Sequence, residues 1–315
     1  MTAARATVLR LALTPFVLAG VVLLAVLLPE LTGVDAARSV LSGRYADGDA
    51  DPQVLEALRA QLGMDQPLPQ RIADRIGGLL TGDLGASWVS GQDAAAEVLA
   101  AAQISLSIVV GSMLLSFALG FGTGLLAARR TGSAADRAVR VLSRFAAALP
   151  EFALAPLLVV VFAVGLQLLP SSGWRGPEYA ILPLASLVPC LAAPIAVTTR
   201  EHARSLRERT FAAAAQAKGL GTARIWLLHI GKPALPPALA LLTYSAAGAV
   251  AGTTAIEVVF DIPGLGSTLV EAVRTQDVPL VQGGLVAAAL AALAIGALGD
   301  AAALAADPRT RRGAA

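Results

Sequence analysis

Few side chains in this sequence are suited to chemistry, and their spacing excludes most reactions. Histidine occurs twice, at His202 and His229, too few for a metal site by themselves. The single cysteine, Cys190, lies in an apolar run and excludes an intramolecular disulfide. There is no GxxxxGKS/T cradle for nucleotide phosphates, no HExxH, no CxxC pair and no GxSxG nucleophile elbow. Two carboxylates stand within apolar stretches, Glu151 just after Pro150 and Asp300 further on. A charge inside a membrane is costly and is a functional candidate for that reason. Glu151, near the start of its stretch, is expected at the interface, paired with an arginine of the preceding loop. No enzyme constellation is present, so any work against a gradient must draw on a partner or an ion gradient.

The elements that carry these residues follow from composition. Of 315 residues 56% are hydrophobic and 15% charged, where a soluble domain carries about 25% charged. The apolar residues gather into six stretches, about 11–29, 103–128, 147–169, 180–198, 236–256 and 280–304. Each is near the ~20 residues that cross a bilayer as a helix. None alternates in the manner of a barrel strand, and only helices or closed barrels satisfy the backbone in lipid. The reading is an all-α integral membrane protein with six transmembrane helices. Pro183, Pro189 and Pro194 are expected to kink or break the fourth. A cleaved signal peptide is the rival for the first stretch, with Arg5 and Arg10 ahead of it. Its apolar run exceeds the usual 7–15 residues of such a segment, which predicts an uncleaved span. The net charge of +2, without a basic cluster interleaved with aromatics, gives no case for nucleic acid.

Loop charges set the expected orientation. Arginines crowd the N-terminus, the loop of Arg129, Arg130, Arg137, Arg140 and Arg144, the loop from Arg200 to Lys232, and the tail of Arg309, Arg311 and Arg312. Residues 30–102 hold five basic and eleven acidic side chains. The positive-inside rule therefore predicts a multi-pass plasma membrane protein with both termini in the cytoplasm. Within the spans, Gly120 and Gly124 form one GxxxG pair and Gly248 and Gly252 another. Small residues at this spacing let helix backbones approach closely. Ordinary packing within one subunit is the expected use, and contact with a second membrane subunit the alternative.

The stretch 212–237, "AAAAQAKGLGTARIWLLHIGKPALPP", is half polar and lies between two spans. Thr210 is a suitable N-cap for a helix over 211–218, Gly219 a left-handed stop, and Thr222 the cap of a second helix with Ile225, Trp226, Leu227 and Leu228. Upstream, Arg200, Arg204 and Arg207 share a helical face, and Arg204 with Glu208 is an i,i+4 pair. The pattern predicts a helix–turn–helix projecting from the membrane, with small residues where another protein could approach. A plain interfacial loop with its arginines on anionic lipid is the other reading.

This stretch resembles the EAA loop of ABC-importer permeases, in the variant of the dipeptide, oligopeptide and nickel group. Ala215, Ala217, Lys218, Gly219, Leu220, His229, Ala234, Leu235 and Pro237 match its general form. "LGMDQPLPQRI" (62–72), "GGLLTGDLGAS" (77–87), "GSAADRAVRVLS" (132–143), "EVVFDIPGLGSTLVEAVRTQDVPLVQG" (257–283) and "DPRTR" (307–311) resemble further segments of the B-type subunit in the same order. The resemblance implies the type I ABC-importer permease fold, with an N-terminal span in 1–30, an extracytoplasmic segment in 31–102, and a permease core in 103–304. The coupling loop falls in 200–235 of that core, and 305–315 form a cytoplasmic tail. It implies that Ala212, Ala213, Ala214, Ala215, Ala217, Lys218, Gly219, Leu220 and Gly221 couple the spans to a cytoplasmic ATPase.

By the same resemblance the partners are a second permease subunit, two ATPase domains and an extracytoplasmic substrate-binding protein, with ATP and Mg bound by the partners and no cofactor in this chain. The implied cargo is a di- or oligopeptide, moved by alternating access. Nickel and glutathione are the alternatives within the family, a gradient-driven carrier and a non-transporting scaffold the alternatives outside it. Two departures stand out. The glutamate typical of the loop falls at Ala213, and Glu151 occupies a position that is usually small and polar.

Overall fold

Lipid offers no partner to a free amide or carbonyl, so the apolar stretches close their hydrogen bonds within helices. The computed structural model of the chain describes residues 3–32, 37, 40, 52–61, 66–208 and 219–306. Eleven helices serve as landmarks: α1 (Ala3–Thr32), α2 (Pro52–Gln61), α3 (Leu68–Thr81), α4 (Ala94–Arg129), α5 (Ala134–Ala148), α6 (Glu151–Leu158), α7 (Ile181–Arg207), α8 (Lys232–Tyr244), α9 (Ala246–Val259), α10 (Leu265–Arg274) and α11 (Val278–Ala306). Among the described residues the one β contact is an isolated bridge between Ala86 and Asp93.

Among the described residues four helical stretches are long and apolar enough to cross a membrane unaided: Ala94–Arg129, Pro177–Arg207, Thr222–Tyr244 and Val278–Ala303. A bent pair, Ala134–Ala148 followed by Glu151–Gly165, makes a fifth if it is one span. The apolar part of α1, Ala12–Leu27, is shorter and coincides with the first expected stretch.

The expected boundaries need three corrections. The third stretch, expected at 147–169, starts later: its helix begins at Glu151, and α5, which lies almost wholly before the stretch, meets it at 100° across Leu149 and Pro150. Proline lacks an amide and biases the residue before it away from helix, so the chain turns at Leu149, which is extended (φ −95°, ψ 115°). The fifth stretch, expected at 236–256, is divided at Ser245 into α8 and α9. The fourth, expected to kink or break at its prolines, is not broken: it runs as one helix through Pro189 and Pro194. Pro183 sits in its first turn, where no amide is needed. Packing against α5, α6, α8 and α9 holds the rest of α7 in place against the hydrogen bonds its inner prolines remove.

The chain forms two compact units. The first comprises Met1–Leu11, Ser107–Asp261 and Ala292–Ala315. Its central packing joins α4 to α7. A Cβ on Gly120 would lie 2.7 Å from the Ala192 carbonyl oxygen and 2.9 Å from Ile195 Cβ, and one on Gly124 2.6 Å from the Ala196 oxygen. No real side chain tolerates such distances, so this GxxxG pair is the close contact of two helices of the same chain. Ser116 Oγ adds a hydrogen bond to the Val188 carbonyl (3.3 Å) along that seam. The other pair behaves differently: Gly248 faces open space, and Gly252 makes room for the Glu151 carboxylate.

The second unit comprises Ala12–Leu106 and Ile262–Ala291. Its core holds Ala94, Val98, Leu265, Ala272, Leu280 and Val281. Asp277, fully buried, starts α11 and ties it to a distant turn. Its carboxylate accepts hydrogen bonds from Ser87 Oγ (2.5 Å) and from the amide of Val89 (3.2 Å). Ser105 Oγ accepts from the amide of Leu265 at the start of α10 (2.7 Å). The buried Asp277 is thus paired across a long sequence separation.

Candidate functional site

The candidate site is the root of the loop that follows α7. Residues 209–218 lie outside the described residues, and with them Ala212, Ala213, Ala214, Ala215, Ala217, Lys218, the Thr210 cap and the helix expected over 211–218. Gly219, Leu220 and Gly221 are described. Gly219 has φ +75°, the left-handed conformation expected of it. A side chain there would strain the backbone by ~1–2 kcal/mol. Thr222 is not a cap: Gly221 occupies the N-cap position, without a side-chain bond, and Thr222 is the first helical residue.

Beyond Thr222–Arg224 the chain widens into π geometry over Ile225–Gly231 before α8 begins. Such insertions are frequent at functional sites. The widened turns place Ile225 and Ile230 inward, where they form a core with Ala128 of α4 and Ala203 of α7. Leu125, Leu206, Leu220 and Trp226 pack around them. Leu220 therefore serves the packing of this root. Leu227 and Leu228 point outward.

The basic end of α7 is anchored to the same place. Ser133 caps α5, its Oγ accepting from the Asp136 amide (3.2 Å), while Asp136 accepts from the Gly132 amide (2.8 Å). The Asp136 carboxylate also receives Nε and a second nitrogen of Arg200, the latter at 3.1 Å, and Arg140 lies 3.8 Å away. Asp136 is 1% exposed and Arg200 11%. The Arg200 guanidinium outweighs the opposing effect of burial and, with the Gly132 amide, holds the Asp136 carboxyl down from 3.8 to about 2. Two turns on, Arg207 donates to the carbonyls of Ala128 and Arg129 (3.2 Å each) and to Thr131 Oγ1 (3.3 Å). A cation on the last carbonyls of α4 complements the negative end of that helix.

Arg200 and Arg207 are therefore spent inside the chain, on α5 and α4. Of the three arginines expected on one face, Arg204 remains exposed and makes the expected pair with Glu208 (3.0 Å). α4, α5, α7 and the segment after Gly219 are thus tied together at the root by hydrogen bonds and a shared core.

The sequence reading missed the clamp on Asp136. Its signal was the Ser-x-x-Asp pattern of a capping box at Ser133 and Asp136, legible before the structure. It missed Glu257 as well, a carboxylate 1% exposed in α9. Glu151 does not make the expected ion pair with an arginine of the preceding loop. Its Oε1 lies 2.7 Å from where a Cβ of Gly252 would stand, across the α6–α9 contact. Among the described residues no group of three His, Cys, Asp or Glu could hold a metal ion.

The comparison with known proteins falls on this arrangement. Residues 120–312, from the α4–α7 seam to the tail, match the family model of the binding-protein-dependent transport system inner membrane component. The chain belongs to this family. It is 32% identical over 237 residues to the glutathione transport system permease protein GsiC of Escherichia coli K12, covering 75% of this chain and 78% of that one. It is 34% identical over 234 residues to the oligopeptide transport system permease protein OppB of Haemophilus influenzae, covering 73% and 76%. The OppB of Salmonella typhimurium is 32% identical over the same length. As a binding-protein-dependent permease the chain is a multi-pass inner membrane subunit of an ABC importer. The family match includes α4 from Gly120, the Asp136 clamp and the whole root after α7.

Proposed function

We propose that this permease carries peptides inward through the membrane by alternating access, with residues 212–221 as its contact with a cytoplasmic ATPase. ATP and Mg bind to that partner; ATP-driven closure of two ATPase domains pushes the coupling segments together, and the paired spans open outward to receive peptide. Hydrolysis returns them. A second permease subunit completes the pathway, and an extracytoplasmic binding protein supplies the cargo. Both termini lie in the cytoplasm, in keeping with the arginine-rich loops.

The observation that carries this reading is the packed and hydrogen-bonded root. A loop that only floats on lipid has no need of a buried core and two arginine clamps at its base. A lever does: force applied at 212–221 passes through Gly219, the Ile225–Ile230 core and Arg207 directly into α4 and α7. Discrete packed elements of this kind transmit displacement because they do not deform continuously.

Affinity purification of the chain from its host in mild detergent, with mass spectrometry of what accompanies it, tests the reading. A P-loop ATPase and a second six-span permease are expected. A chain that purifies alone and transports in liposomes without ATP would instead be a gradient-driven carrier. Glutathione, the substrate named for one relative, is the second cargo to assay beside tri- and tetrapeptides.

A further inference from the structure

The second unit contains a cavity of about 610 Å³ whose lining includes Asp74, Arg75, Asp83, Ser87, Trp88 and Gln282. Ligand pockets commonly span ~300–1,000 Å³. Three features of its walls determine what would fit.

The first is a buried donor without an acceptor. Gln282 is 5% exposed, and its Nε2 has no hydrogen-bond partner. Buried side-chain nitrogens are rarely left so. A ligand that brings an oxygen to this wall supplies what the chain does not.

The second is the charge left over once internal pairs are counted. Ser87 spends its hydroxyl on Asp277, so that carboxylate is closed to the cavity. Arg75 lies over the Trp88 ring, its guanidinium carbon 5.8 Å from the centroid. Asp74 is exposed and enters no ion pair among the described residues, while Asp83 accepts one amide, from Gly85 (3.0 Å), and keeps acceptor capacity. Two carboxylates against one engaged guanidinium favour a cationic ligand. The third feature is the absence, among the described residues, of three ligating side chains that could hold a metal ion.

We propose that this cavity binds the amino-terminal end of a peptide. The α-ammonium sits between Asp74 and Asp83, and the first carbonyl oxygen accepts from Gln282 Nε2. A peptide amino terminus carries a cation and an acceptor within one residue of each other, which is the combination the walls lack. The loop charges put this unit outside the cytoplasm, so the site would meet peptide before translocation. The choice of peptide rests on the importer reading above; the cavity and its unpaired donor do not.

The test uses the full chain in lipid nanodiscs with Trp174→Phe and Trp226→Phe, leaving Trp88 as the sole indole. Titration with trialanine is expected to change Trp88 fluorescence saturably, and N-acetyl-trialanine to bind at least tenfold more weakly. Gln282→Leu and Asp74→Asn are each expected to weaken trialanine about tenfold. Asp74 is exposed, so its variant keeps the fold and decides the matter if Gln282→Leu does not insert. Equal binding of the acetylated peptide, an unchanged Asp74→Asn titration, or no saturable response overturns the proposal. ATP-driven peptide uptake by the assembled complex with the wild-type chain, all three tryptophans present, is measured in parallel and separates the two readings. Uptake without a Trp88 response sinks the pocket alone, and a Trp88 response without uptake sinks the importer reading alone.

Discussion

Replacing Arg200 by Met removes the cation from a carboxylate that has nowhere else to turn. Asp136 is 1% exposed, and its carboxyl is held down from 3.8 to about 2 chiefly by the Arg200 guanidinium. At ~1.4 kcal/mol per tenfold change in proton affinity, that preference for the ionised form amounts to about 2 kcal/mol. Breaking one side of a buried pair costs ~3–5 kcal/mol because the other charge is stranded, and Arg140 at 3.8 Å compensates in part. We expect Arg200→Met to destabilise the protein by about 2–3 kcal/mol. The double variant Asp136→Asn/Arg200→Met removes the stranded charge and should recover more than half of that loss.

The assay is SDS-induced unfolding in mixed micelles, followed by tryptophan fluorescence, as a double-mutant cycle. A group whose carboxyl is lowered in the folded state stabilises fully above its unfolded value, near 4, and loses that contribution as pH falls toward 2. The gap between wild type and Arg200→Met should therefore be full at pH 7 and narrow between pH 4 and 2. Single variants that each cost less than ~0.5 kcal/mol and add without coupling would refute the clamp, since an exposed pair behaves in that way.

Two further outcomes follow from the same geometry. Gly124→Leu should cost at least ~1–3 kcal/mol by forcing α4 from α7, whereas Gly248→Ala, with nothing within 4 Å, should be neutral in the same unfolding assay. Gly219→Asp should abolish ATP-driven uptake while membrane insertion, read by fractionation, stays at wild-type level; wild-type uptake in that variant would refute the coupling role.

Much of the protein was legible in its residues. Composition and run length marked a helical membrane protein, and the apolar stretches lie where helices form, because apolarity and helical hydrogen bonding are decided within some twenty residues of chain. Gly219 was readable for the same reason: a left-handed stop is a local need that glycine meets without strain. The motifs from 62 to 311 named the family before any geometry was considered. The corrections fall where a local rule met a tertiary one. Pro189 and Pro194 promised a kink or a break, and neighbours on several sides of α7 kept the helix unbroken; Ser245 divided a stretch whose apolarity was continuous.

What only the tertiary structure decided is who faces whom. Arg200 and Asp136 are 64 residues apart, Asp277 and Ser87 190 apart. In the sequence Arg200, Arg204 and Arg207 share one helical face; in the fold two hold the loop's root and Arg204 stays exposed with Glu208. Glu151 was expected beside an arginine of the preceding loop, and the fold sets its carboxylate against Gly252 instead. Periodicity tells which face of a helix is apolar or charged, but the partner of that face depends on the packing of several helices at once, and no short stretch of chain contains that information.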